Sequence, residues 1–154
     1  MRKDEFRFGG PRVRTAVDTN IFVALFAGDE QATPAARYAL EGASERGSLV
    51  VSPAVYAELV AGWSPDAVET FFDEKRIEVD WDLGREVWLT AGSRYGEYAL
   101  SRERRRGDSA PRRILADFVI GAHALHRTAA LLTLDRGVYA TAFPDLELLA
   151  PELA

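Results

Sequence analysis

At 154 residues, with 47 % hydrophobic residues, the chain is sized for one domain that buries roughly 68–70 % of its unfolded surface and needs no disulfide or structural metal to hold its core. It contains no cysteine, which excludes thiolate catalysis, cysteine-ligated zinc and disulfides and fits a reducing cytosol. The net charge of −5 argues against a protein that coats nucleic acid non-specifically, although an enzyme needs only a local basic surface.

The opening stretch, MRKDEFRFGG, carries charges where a signal peptide needs an apolar core. No apolar run reaches the roughly 18 residues of a membrane span, so a cytoplasmic protein with no membrane partner is expected. Residues 1–12 read as a polar extension and residues 13–150 as the domain. A β-branched run, Val13 to Val17, predicts a first strand that stops at Asp18. A short helix is expected from Asn20 to Ala27. Thr33-Pro34 has the form of an N-cap followed by proline at the first helical position, opening a helix to about Arg46. Gly47 ends that helix, and Ser48 to Val51 forms a second buried strand. Ser52-Pro53 opens a helix to Gly62, and Ser64-Pro65 opens another to about Glu74. Ile77 to Val79 is a weak strand. A long helix from about Asp82 to Arg102 carries Val87, Ala91, Tyr95 and Tyr98 on one stripe. After a polar break at 107–111, a helix spans about Arg112 to Arg127. Ala130 to Leu134 is the fourth strand and Leu146 to Leu149 the fifth. Strands that alternate with helices and are nearly all apolar indicate an α/β protein of three layers, its parallel sheet covered on both faces.

In such a sheet, ligands bind outside the carboxyl ends of the strands. Asp18 ends the first strand, Asp135 directly follows the fourth, and Glu58 lies within two turns of the start of the helix leaving the second. The helix before the fourth strand runs antiparallel to it, so Asp117, about 7.5 Å along that helix, stands at the same edge. Four carboxylates there repel one another and are costly to desolvate, and a divalent cation removes that cost. Hard oxygen ligands suit Mg²⁺ or Mn²⁺, which bridge to substrate phosphate and activate water for an in-line displacement. Each carboxylate alone has an ordinary alternative. Asp18 could only cap a helix, Glu58 could be a surface residue, and Asp135-Arg136-Gly137 is a good turn. Asp117 is the most telling, because Leu115, Ala116, Phe118, Val119 and Ile120 surround it.

Four segments then resemble one family. They are Ala16-Val-Asp18-Thr-Asn20-Ile-Phe, Ser52-Pro-Ala-Val-Tyr-Ala-Glu58-Leu, Ile114-Leu-Ala-Asp117-Phe-Val-Ile-Gly-Ala-His-Ala, and Leu132-Thr133-Leu-Asp135-Arg-Gly. Together, in this order, they resemble the PIN-domain nucleases, and among these the VapC-type toxins of toxin–antitoxin pairs, over roughly residues 13–150. The resemblance implies Mg²⁺- or Mn²⁺-dependent cleavage of RNA, a sheet order of 3-2-1-4-5, a homodimer and a cognate antitoxin. It implies that Asp18 and Asp117 ligate metal directly, and that Glu58 and Asp135 bind a second metal or hold its waters. Asn20 and Thr133 would orient carboxylates or waters from behind. The polar extension and the density of arginines before Asp117 are not part of the family pattern.

Other features carry weaker readings. His123 and His126 lie on different faces of their helix from Asp117 and are expected to serve structure or an interface. Trp88, Tyr95 and Tyr98 are expected in core or dimer packing rather than in base stacking. Arg102, Arg104, Arg105, Arg106, Arg112 and Arg113 lead into the helix of Asp117. Of these, Arg104, Arg105, Arg106, Arg112 and Arg113 are expected to bind RNA phosphate, against the plainer reading of a solvated helix end. Two rivals remain. A Mg²⁺-dependent phosphatase or phospho-acceptor domain would want a lysine near the site, and the only lysines are Lys3 and Lys75. A non-catalytic module keeping the fold for binding would have little use for all four carboxylates.

Overall fold

The computed structural model describes residues 13–106 and 115–151. Five strands, β1 (Val13–Val17), β2 (Gly47–Val51), β3 (Ile77–Val79), β4 (Ala130–Leu132) and β5 (Leu148–Leu149), form one parallel sheet in the order β3-β2-β1-β4-β5. Between them run α1 (Thr19–Ala27), α2 (Ala32–Arg46), α3 (Pro53–Gly62), α4 (Pro65–Lys75), α5 (Arg85–Arg106), α6 (Leu115–Arg127) and α7 (Gly137–Ala142). Right-handed crossovers place α1–α4 on one face and α5–α7 on the other. Packing follows suit: α1 lies against α2 and α3, and α5 against α6 and α7.

β1 occupies the centre because both its faces are covered and its neighbours crowd it. Ala16 and Val17 are buried, as are Val50 and Val51 of β2 and Leu131 and Leu132 of β4. At Gly47 the two backbones approach so closely that a Cβ would overlap the carbonyl of Val13, so the residue ending α2 must be glycine.

The helix starts show where local chemistry overrides pattern. α2 opens at Ala32, ahead of the Thr33-Pro34 pair. The Asp29 carboxylate accepts the N–H groups of Gln31 (2.9 Å) and Ala32 (3.1 Å), a role it fills before Thr33 can. Thr33 is inside the helix, its hydroxyl donating to the Ala24 carbonyl. Ser64 caps α4 as expected, accepting from the Ala67 N–H at 3.2 Å. Ser52 precedes α3 in extended conformation, but its hydroxyl makes no capping bond. α5 starts at Arg85 rather than near Asp82, because the Asp82 side chain accepts the Gly84 N–H and Gly84 takes a φ of 80°. β4 stops at Leu132, and β5 is confined to Leu148–Leu149. α7 has no counterpart among the elements expected from the residue pattern.

Val87 and Ala91 of α5 are buried, and Tyr95 and Tyr98 pack on the fully buried Phe118 of α6. Trp88 departs from that expectation: it is 55 % exposed and does not belong to the core. Phe143, beyond α7, closes the same cluster against Phe118 and Tyr139. It lies over Gly121, where a Cβ would stand 2.6 Å from the ring.

Gly121→Ala should therefore destabilise the protein. Alanine gains roughly 1 kcal/mol of helix propensity, but overpacking against a fully buried ring costs typically about 1–3 kcal/mol. A net loss of about 1 kcal/mol, read as a fall of roughly 2–4 °C in Tm, is expected. An unchanged or higher Tm would show that Phe143 yields freely.

Candidate active site

Parallel strands all end at one edge, and that edge collects the acidic side chains. Asp18 follows β1, its backbone N–H still bonded to the Leu132 carbonyl of β4 at 2.9 Å. It is only 5 % exposed. One carboxylate oxygen accepts the Thr19 N–H at 2.8 Å and so caps α1. The other accepts the Thr133 hydroxyl at 2.8 Å. Thr133 is itself fully buried, and its oxygen receives the Asn20 amide at 3.0 Å and the Asp135 N–H at 3.1 Å. With two donors aimed at that oxygen, its single proton goes to the nearest acceptor, Asp18. Asn20 is fixed in turn because its Oδ1 accepts the Leu134 N–H at 3.0 Å. The bend after β4 is thus tied to the first turn of α1 through Asn20, and Asp18 is oriented by both.

Asp117 lies in the first turn of α6, half-buried. Burial, and then the negative charge of Glu58, push its carboxyl up to about 6, with Asp135 adding to the rise. Asp18 is likewise raised to about 6. Burial is the main cause, the Asp117 charge contributes, and the Thr133 and Thr19 hydrogen bonds oppose it. Glu58 is exposed, its Oε1 accepting the Thr19 hydroxyl at 2.6 Å. Asp135 is exposed on the turn before α7. The four carboxylates therefore share one field, with Asp18 and Asp117 as its buried pair and Glu58 and Asp135 at its rim. Among the described residues, no three acidic or histidine side chains converge closely enough to enclose one ion.

Two participants escaped the sequence reading. Thr19 gives its N–H to Asp18 and its hydroxyl to Glu58; it stands inside the Asp18-Thr19-Asn20 run, where that double bonding was the available signal. Tyr139, buried on α7, brings its hydroxyl to 3.5 Å from Asp117 Oδ1 and also stabilises the Asp18 carboxylate. Its phenol is pushed far up by burial and by the charges of Asp18 and Asp117, so it stays protonated and donates. It lies four residues beyond Asp135, but only a helix following that turn points it back.

The other sequence candidates lie elsewhere or outside the described residues. His123 is buried and bonded to Asp80 at 3.2 Å, and His126 bonds Thr90 at 2.8 Å. The side chains of Arg104, Arg105 and Arg106, and the whole of Arg112 and Arg113, fall outside the described residues.

The site suits a hard cation. Its donors are oxygens, two of its carboxylates are desolvated, and the ion pairs among the described residues, Arg14 and His123 with Asp80 and Arg94 with Asp145, leave all four members without a basic partner. Buried carboxylates so arranged are compensated by a metal or by protonation.

A family model for the PIN domain matches residues 15–144. Three solved structures share the fold. One, a VapBC2 complex of Rickettsia felis bound to a promoter DNA fragment, is 21 % identical at a TM-score of 0.61, covering 90 % of this chain and 99 % of its own. VapBC-1 of nontypeable Haemophilus influenzae is 22 % identical at 0.59, covering 89 % and 97 %. DNA-bound VapBC of Salmonella typhimurium is 20 % identical at 0.59, covering 90 % and 98 %. No curated protein matches.

The raised carboxyls give a signed prediction. Asp117 in the folded protein titrates near 6 against 3.8 for the free side chain. Its contribution to stability is therefore full below about pH 4 and is lost as pH rises through 6. In chelator, Asp117→Asn should melt at or above wild type at pH 7, its advantage shrinking as pH falls to 4. It should gain less than wild type from added Mg²⁺. A variant melting well below wild type at pH 7 would make Asp117 a structural residue.

Proposed function

The chain belongs to the PIN-domain family, and from that premise we propose that it is a Mg²⁺- or Mn²⁺-dependent endoribonuclease, the toxin of a toxin–antitoxin pair. PIN domains are in general metal-dependent nucleases. The observation that carries the reading is the buried Asp18–Asp117 pair, raised by burial and mutual charge and without a basic partner among the described residues.

In this reading Asp18 and Asp117 hold the cation, with Glu58 and Asp135 positioned for a second ion or for ordered waters. The bound cation neutralises charge at the scissile phosphate and acidifies the attacking water. The protein's own part is pre-organisation. Thr133 and the Thr19 N–H fix both oxygens of Asp18, Asn20 holds Thr133, and the Thr19 hydroxyl holds Glu58. Tyr139 donates toward Asp117, tempering the repulsion between the two carboxylates. RNA as substrate, a cognate antitoxin and self-association as a homodimer belong to the same proposal, as does a cytoplasmic setting. The likeness to VapBC complexes supports the antitoxin. The phosphatase alternative finds no support at the site: Lys75 ends α4, where the chain enters β3 at the opposite edge of the sheet, its ammonium over the Phe71 ring.

Asp18→Asn and Asp117→Asn should each lower cleavage of single-stranded RNA by roughly 10²-fold or more, with circular dichroism unchanged. Excess chelator should abolish wild-type activity, and full activity in chelator would overturn the metal mechanism.

Phosphate binding by the arginine segment is also testable. Replacing Arg104, Arg105 and Arg106 by alanine should weaken RNA binding across sequences. It should also flatten the salt dependence, by a slope of about 0.7 for each single-strand phosphate no longer neutralised. An unchanged slope assigns the segment to solvent or to the antitoxin.

A further inference from the structure

α5 is apolar on two sides. Val87, Ala91 and Tyr98 form the stripe turned to α6 and the sheet. At about 100° per residue, Trp88, Leu89, Gly92, Gly96, Ala99 and Leu100 form a second stripe about 120° wide, centred roughly 140° away from the first. This second stripe is open to solvent: Trp88, Leu89 and Leu100 are 55 %, 56 % and 55 % exposed. A Cβ added to Gly92 or Gly96 would meet nothing within 4 Å. Three large exposed apolar residues on one face of one helix are not scattered surface residues; such a patch marks a contact surface.

The order of residues along the stripe says what fits it. About the level of residue 94 the stripe is its own complement when run backwards. Trp88 falls opposite Leu100, Leu89 opposite Ala99, Gly92 opposite Gly96 and, at the ends, Arg85 opposite Glu103. Arg85 and Glu103 are both exposed, and neither has an ion-pair partner among the described residues. A two-fold contact uses the same patch on both partners and makes every such pair twice. An RNA backbone, by contrast, would find no row of cations along this stripe.

We propose that a second copy of this chain packs antiparallel on this face, α5 against α5, with Gly92 and Gly96 of each copy at the two-fold axis and an Arg85–Glu103 pair at either end. The glycines let the helix axes approach more closely than the usual distance of about 8–10 Å. Trp88 and Leu100 close over the crossing from both sides. The inference takes self-association from the preceding reading and gives it a surface, independently of any nuclease activity.

The test is the mass of the full-length protein in solution, with RNA cleavage measured in parallel. Wild type should run at about twice the chain mass of 17.0 kDa. Arg85→Glu, which sets like charges opposite each other twice, should raise the dimer Kd by at least about tenfold. The double change Arg85→Glu with Glu103→Arg should restore it. As a second measurement, Gly92→Cys with Gly96→Cys, in a chain with no other cysteine, should give a covalent dimer on mild oxidation. A monomeric wild type would overturn the inference, as would a dimer whose Kd ignores Arg85→Glu and whose cysteine variant does not cross-link. Loss of binding to a single-stranded RNA oligonucleotide in Arg85→Glu, with mass unchanged, would reassign the stripe and likewise overturn it. A monomer that cleaves RNA sinks this inference alone, and a dimer that does not cleave sinks only the nuclease reading.

Discussion

A carboxylate that is 5 % exposed at the end of the central strand constrains everything around it. Left alone, a buried carboxylate is expensive, and no arginine or lysine among the described residues relieves it. Asp18 instead draws donors from two elements: the N–H that opens α1 and the hydroxyl that follows β4. Those bonds lower its titration, but burial outweighs them and the carboxyl stays raised. The fold thus assembles a site whose charge is oriented and only partly compensated. Such a site has a high affinity for a cation because the protein has not satisfied it internally.

The connection between Asp18, Thr133 and Asn20 also explains why strand lengths matter here. β4 ends at Leu132, after which Thr133 turns its hydroxyl toward β1 and accepts the Asp135 N–H. Two more residues of regular strand would carry Asp135 away from the edge. The short strand is therefore a consequence of the same bonds that hold the site, and the expected extension to Leu134 fails for that reason.

How much of this was legible follows from the kind of signal each residue gives. The strands were readable because both faces of the sheet are covered, leaving apolar runs such as Ser48 to Val51. Asp18, Glu58, Asp117 and Asp135 were readable because strand ends and helix starts are fixed by topology, and a parallel sheet puts them at one edge. Asp29 was missed as the cap of α2 because Thr33-Pro34 offers a more familiar pattern, and only the geometry of the turn shows the nearer donor groups. Trp88 was misplaced because its position on the helix borders the buried stripe. Tyr139 had no periodic signal at all: its helix is too short to show one. The arginines at 104–106 and 112–113 rest on the sequence alone.

That short helix has a consequence of its own. Six residues cannot sustain a helix in water, because nucleation fixes several dihedrals before propagation returns anything. α7 exists because Phe143 fits over Gly121 and because Arg94 clasps Asp145 with two bonds, 2.6 and 2.8 Å, and the Ala142 carbonyl with a third. Its opening free energy is thus set by a few interactions more than one helix turn away from the carboxylates, and lies below that of the sheet. Each local opening would withdraw the Tyr139 hydroxyl and leave Asp18 and Asp117 facing each other with less to temper them. The acidity of the site is in this sense a fluctuating quantity, averaged over the docked and undocked states of a single turn and a half of helix.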